Sequence, residues 1–321
     1  MANVYFFEKE NKELRDILKK ELATAFKDCK KIAIKIHFGE LNNKTALTPK
    51  DIYPITTVLK ELNIDYFLYD SSTAYPGPRS SPFTHKMLAI LKGFRKVETG
   101  DEFIEIEKEH NKWQVCKKLT DADGVLILSH FKGHPCCGFG GAIKNIGMGA
   151  LTKKSKQFIH DGAKPTFHGK CSKCGACLKA CPIDGIKLTD KPEFKECWGC
   201  SNCTYICPNN CLKQKVASFD ILLSEGACAA YENFKNSYSI NIVKRITKMC
   251  DCMPTHSEII SHDIGIVMSS DIVAVDKASH DLILKKNKED VFLKHNKKSG
   301  LLALEYAEKL EMGKLKYKLV M

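Results

Sequence analysis

The sequence predicts an α/β fold: a discontinuous, mostly parallel sheet flanked by helices and interrupted by a small α+β module. Three observations predict it. Short apolar runs alternate with helix-length segments before residue 168, and the alternation resumes after residue 213. Between those limits lie two cysteine runs of one spacing. Strands separated by helix-length segments are the pattern of βαβ units, because parallel neighbours need a crossover. The stretch after residue 213 holds too few strands for a sheet of its own. Residues 1–167 and 214–321 are therefore read as one α/β domain, and 168–213 as an insert at a surface loop.

Val4–Phe7 is a short apolar run. From Lys12 to Asp28, Leu14, Ile17, Leu18, Leu22, Ala25 and Phe26 keep helical spacing, so a helix is predicted. Ile32–Phe38 reads as a strand, Asp51–Leu62 as a helix introduced by Thr48-Pro49, and Tyr66–Tyr69 as a strand. Ser81 and Pro82 supply the N-cap and first-turn chemistry of a helix running to about Lys92. Phe103–Glu107 and Trp113–Lys117 are expected at a sheet edge, and Gly124–Phe131 is a strongly apolar strand. Beyond the insert, Ala217–Phe234, Asp271–Leu284 and Leu301–Leu310 read as helices and Ile264–Met268 as a strand. Ile240–Met249 leaves helix and strand open.

The cysteine runs are Cys171-x2-Cys174-x2-Cys177-x3-Cys181-Pro182 and Cys197-x2-Cys200-x2-Cys203-x3-Cys207-Pro208. This doubled spacing is the bacterial ferredoxin signature for two 4Fe–4S clusters. Three thiolates in a tight loop reach three corners of one cubane, and the fourth cysteine, drawn away by its proline, reaches the other. Cys171, Cys174, Cys177 and Cys207 are thus expected around one cluster, and Cys181, Cys197, Cys200 and Cys203 around the second. Paired C-x2-C also suits zinc, but the third step, the x3 gap and the proline, all repeated, favour iron–sulfur.

Hydrophobic content of 44% allows a substantial core, and no apolar run reaches 18 residues. With no basic leader, sixteen cysteines indicate metal ligation by reduced thiols, hence a cytoplasmic and anaerobic setting. The formal charge of +12 stays basic after two clusters of about −2 each are counted. The lysines are scattered, with no nucleic-acid module, so neither nucleic acid nor membrane is expected as a partner. A redox partner protein or a small-molecule electron acceptor is.

Several segments carry a resemblance. They are Lys35-Ile-His-Phe-Gly-Glu40, Tyr69-Asp-Ser-Ser-Thr-Ala-Tyr-Pro-Gly-Pro-Arg79, Ser129-His-Phe-Lys-Gly-His134, Gly138-Phe-Gly-Gly-Ala-Ile-Lys-Asn-Ile-Gly-Met-Gly149, Cys250-Asp-Cys252 and the run Asp263 to Lys277. In that order, with the cysteine block between them, they resemble the domain-of-unknown-function family 362 over nearly the whole chain. The resemblance implies an iron–sulfur, ferredoxin-like protein with a redox role. No substrate comes with it.

Outside the cysteine block, Gly133, Gly138, Gly140, Gly141, Gly147 and Gly149 follow the Gly124–Phe131 strand directly. Successive glycines can form an anion-binding nest, and ligands of parallel sheets bind beyond the carboxyl ends of strands. Gly138, Gly140, Gly141 and Lys144 are therefore the candidate site for an anionic cofactor such as a flavin or deazaflavin. His37, His130 and His134 lie at strand ends and are the candidate proton donors. Asp70, Lys132, Ser269 and Asp271 are expected at the same edge. Cys250, Cys252, Cys136 and Cys137 are further thiols, able to chelate a metal or to lie inert.

The reading that joins these features is an iron–sulfur oxidoreductase passing single electrons to a site at the carboxyl edge. A dedicated electron carrier and a redox or metal sensor are the alternatives.

Overall fold

Several helix starts in this chain are set by side chains that accept the unpaired first-turn N–H groups. Asn11 accepts from Leu14 at 2.8 Å, Ser81 from Thr84 at 3.3 Å, and Asp271 from Val273 and Ala274 at 3.0 and 2.8 Å. Thr48 and Asp51 form a capping box ahead of Pro49. The helices that follow are α1 (Lys12–Ala25), α2 (Pro49–Glu61) and α3 (Pro82–Leu91) before the cysteine block. Also before it lie α4 (Ala142–Gly149) and α5 (Lys153–Gly162). After it come α6 (Phe219–Tyr231), α7 (Ile272–Asn287) and α8 (Leu301–Lys309).

The computed structural model describes residues 1–255 and 257–320 and is built on an eight-stranded sheet. Its strands are β1 (Ala2–Phe7), β2 (Lys31–Lys35), β3 (Asp65–Tyr69) and β4 (Val97–Glu98), then β5 (Val125–His130), β6 (Ser237–Val243), β7 (Gly265–Ser269) and β8 (Tyr317–Val320). Their spatial order is β8-β1-β7-β6-β5-β2-β3-β4. Strands from before and after the cysteine block therefore interleave. Alternate residues feed two cores: Ile32, Ile34, Leu126 and Leu128 pack with α1 and α2 on one face. Ala33, Val125 and Ile127 pack with α4, α6 and α7 on the other. Apolar residues on both faces explain why these strands read as continuous apolar runs.

Only β7 opposes the rest, antiparallel to both β1 and β6. This corrects one expectation. Ser269 and Asp271 fall at the opposite edge from His130, where Ser269 donates to the Asn3 carbonyl and Asp271 caps α7. A second correction concerns Phe103–Glu107 and Lys112–Cys116, which form a separate antiparallel hairpin and not an edge of the main sheet. The open stretch 240–249 supplies most of the central strand β6.

The cysteine block leaves the main body through Pro165–Phe167 and returns through Leu212–Gln214, which pair antiparallel. Inside it are two one-turn helices, Ala176–Ala180 and Asn202–Ile206, and a hairpin of Ile186–Leu188 with Pro192–Phe194. Its two halves repeat at the backbone level. Left-handed φ values at Lys173, Gly175 and Asp184 recur at Gly199, Ser201 and Asn210. The block is also keyed to the body. Buried Lys298 pairs with Asp220 at 2.7 Å and donates to the Cys200 carbonyl at 2.6 Å.

Candidate functional site

The eight cysteines of the two runs separate into two groups of four. Cys171, Cys174, Cys177 and Cys207 line one recess, and Cys181, Cys197, Cys200 and Cys203 line the other. Each recess is thus lined by three thiols from one run and the proline-linked fourth from the other. Peptide N–H groups point at the sulfurs in equivalent places: Lys173 to Cys171 at 3.3 Å and Gly199 to Cys197 at 3.4 Å. Among the described residues, only Glu109, His110 and Glu225 bring three donor atoms within 4.8 Å of one another. Sulfurs on one tetrahedral zinc at about 2.3 Å would sit within about 4 Å of each other. Neither thiol group is drawn in that tightly.

A cavity of about 500 Å³ lies beyond the carboxyl ends of β2, β3 and β5, where parallel sheets hold their ligands. Its walls include Lys35, Asp70, Arg79, Lys132, Lys144, Cys136, Cys250 and Cys252. Cys197 and Trp198 line it too, and both also line the second thiol recess. The two spaces share one wall. His160 Nδ1 donates to the Trp198 carbonyl at 2.8 Å and fixes that wall.

One side of the cavity is a buried charge network. Asp70 pairs with Lys35 and with Arg79, each at 3.0 Å, and Arg79 reaches Glu40 at 3.2 Å. Burial opposes ionisation, but Lys35 and then Arg79 hold the Asp70 carboxyl far below the usual range. Gly149 makes room for this network, since a Cβ there would come within 2.2 Å of Lys35 Nζ.

The glycine loop does not form an open nest. Gly138 (φ +75°) packs against Gly300, and a Cβ would meet its nitrogen at 2.5 Å. Gly141 precedes α4, whose first N–H groups, from Ala142 and Ile143, donate to Asp276 at 2.7 and 3.0 Å. The protein's own carboxylate already occupies that helix start. Gly138 and Gly140 are not on the cavity wall, whereas Gly141 and Lys144 are. Lys144 has no hydrogen bond or ion pair among the described residues, and the Cys252 and Cys250 sulfurs offset the cost that burial imposes on its charge.

The three histidines diverge in role. His130 has Nε2 2.7 Å from the Lys244 carbonyl and Nδ1 2.9 Å from Asp251, so both nitrogens are committed to the protein. That corrects its assignment as a proton donor. His134 lines the cavity, and its Nδ1 accepts from the Cys136 N–H at 3.2 Å, which puts the ring proton on Nε2. Burial, then Lys144, keeps this ring neutral. His37 Nδ1 accepts from the Gly39 N–H at 3.0 Å, which places Nε2–H 3.5 Å from Cys252 Sγ. Trp198, His160, Lys35 and Arg79 are site residues that local sequence patterns do not reveal, whereas Asp70 and Cys136 are expected near this edge from the sequence.

Buried neutral histidines make the fold acid-sensitive. Burial and the Arg79 charge lower His37 to about 4, and burial lowers His85 to about 3. Both take up protons near 6.5 when unfolded, so the stability they contribute is complete above that pH and declines below it. The slope is roughly 1.4 kcal/mol per pH unit for each ring. Burial raises Asp276 to about 6, which acts in the opposite direction, but it is outnumbered by these rings and His134. The urea midpoint should therefore fall between pH 7 and pH 5. A constant or rising midpoint would contradict this account.

An α/β protein with paired four-thiol recesses beside a cationic cavity is the class that fold and site define. The model of the family described as "Domain of unknown function (DUF362)" matches residues 32–281, and the chain belongs to that family. No curated protein matches it. No described helix is long and apolar enough to cross a membrane.

Proposed function

We propose that this protein is an iron–sulfur oxidoreductase that delivers single electrons to an anionic ligand in the cavity at the carboxyl edge. Cys171, Cys174, Cys177 and Cys207 would hold one 4Fe–4S cluster, and Cys181, Cys197, Cys200 and Cys203 the other. The thiol chemistry fits: four motif sulfurs around each recess, with Cys211 as a fifth in the first, and peptide N–H groups aimed at Cys171 and Cys197. When bound, the clusters supply low-potential single electrons. The observation that carries the reading is the wall of Cys197 and Trp198 common to the second recess and the cavity. Cys174 is exposed at the far recess and suits contact with a redox partner protein. The setting proposed is cytoplasmic and anaerobic, with neither nucleic acid nor membrane as partner.

Within the cavity each residue has a distinct task. Lys144, which has no hydrogen bond or carboxylate ion pair among the described residues, binds the ligand's negative charge. His134 offers a neutral Nε2–H donor, and the Asp70–Arg79–Lys35 network fixes the opposite wall. A flavin, deazaflavin or small anionic acceptor would all meet this chemistry.

An anaerobic binding screen of flavins, deazaflavins and nucleotides tests the reading. Lys144→Ala should weaken the ligand found by about ten- to a hundred-fold, since a hydrogen bond to a charged group is worth roughly 1.5–3 kcal/mol. Iron content should not change. If wild type binds none of them, or the bound one is indifferent to Lys144, the dedicated electron-carrier reading replaces this one.

A further inference from the structure

Cys250 and Cys252 lie on the cavity wall on a turn closed by the Met253 N–H to the Cys250 carbonyl at 3.1 Å. Residues two positions apart on such a turn have Cα atoms roughly 5–6 Å apart, within the span of a disulfide. Asp251 between them faces away, to His130 at 2.9 Å and Lys132 at 3.1 Å, and anchors the turn. The two thiols are unequal. Cys250 is buried, whereas Cys252 is partly exposed and has the His37 Nε2–H at 3.5 Å. A donor from Cys250, then Lys144 and His37, favours the thiolate at Cys252, while Cys250 keeps its proton. A partly exposed thiolate beside a buried protonated thiol is the division of labour of an attacking and a resolving cysteine.

We propose that Cys250 and Cys252 are a dithiol–disulfide couple that reduces a small anionic disulfide bound in this cavity. Cavity size sets the ligand class, because about 500 Å³ suits a small molecule and not a folded partner. Lys144 sets its charge. Cys252 Sγ attacks one substrate sulfur, forming a mixed disulfide and releasing the other half as a thiolate. Cys250 then loses its proton and attacks Cys252 Sγ, forming the Cys250–Cys252 disulfide and releasing the second half. The two released thiolates take up the Cys250 proton and one from solvent. Two electrons and one proton restore the Cys252 thiolate and the Cys250 thiol. The electrons come singly from a low-potential one-electron carrier through the Cys197–Trp198 wall. This regeneration rests on the oxidoreductase reading above, but the thiol exchange does not.

The test uses the full chain, purified anaerobically, with oxidised glutathione as the disulfide probe. Thiol labelling and peptide mass mapping report the products, and iron and sulfide are assayed in the same samples. Wild type should end with a Cys250–Cys252 disulfide and free glutathione. Cys250→Ser should stop with one glutathione on Cys252, and Cys252→Ser should form neither product. Alkylation by iodoacetamide near pH 6.5 should slow at least about tenfold in Cys252→Ser but not in Cys250→Ser. A wild-type protein that stops at the mixed adduct, or reacts at other cysteines first, overturns the proposal. So does a metal ion beyond the cluster iron that is lost in both variants. Absence of iron with the exchange intact would instead fail only the electron-supply reading.

Discussion

Anaerobically reconstituted protein is expected to bind about eight irons and eight sulfides, and Cys203→Ala to retain about half of each. Cys203 is buried, and the thiols lining its recess are Cys181, Cys197 and Cys200. The other recess differs. Cys211 lines it as well, with its sulfur 3.3 Å from Cys207 Sγ. Cys207→Ala should therefore lose less iron than Cys203→Ala, because a neighbouring thiol can take the vacant corner. Reduction of any cavity acceptor should fall at least a hundredfold in Cys203→Ala, whose lost cluster is the one beside the shared wall. Zinc in place of iron, or equal iron loss in the two variants, would overturn the assignment.

Asp70→Ala is expected to destabilise the fold by about 3–5 kcal/mol, the usual effect of removing one partner from a buried ion pair. Lys35 is fully buried and Arg79 nearly so, and both direct their charge at this carboxylate. Without it, Arg79 keeps Glu40, but Lys35 keeps only neutral acceptors, Asn145 Oδ1 at 2.8 Å and the Ile36 carbonyl at 3.4 Å. Equilibrium unfolding in urea reads the loss directly. A change below about 1 kcal/mol, typical of surface pairs, would mean that solvent reaches the network.

Much of this was legible in the sequence where the signal is local. Thr48-Pro49, Ser81-Pro82 and Asp271 mark helix starts within four residues, and each appears where its chemistry places it. The cysteine grouping rests on the x2, x2, x3 spacing, which limits what one loop can reach. The direction of β7 was not, since an apolar pentapeptide has the same composition whichever way it runs. Nor was the filling of the α4 start, because Asp276 lies on α7, far along the chain from Gly141. His130 shows the same limit. Its partner Asp251 is 121 residues away, and only that contact turns a strand-end histidine into an anchor.

The sheet order also has a consequence for synthesis. β1 pairs with β7 and β8, so Phe7 waits for partners that emerge about 260 residues later. At roughly 5–20 residues per second, that wait lasts on the order of 13–50 s. Throughout it, Val4, Tyr5, Phe6 and Phe7 have no neighbouring strand, and an unpaired apolar edge invites self-association. The cysteine block, whose hairpin and strand pairing are nearly all internal, emerges complete before β6 does. If the block holds the proposed clusters, their assembly would begin while the main body is still open on the ribosome. Expression host and translation speed should govern the yield of intact protein as strongly as iron supply does.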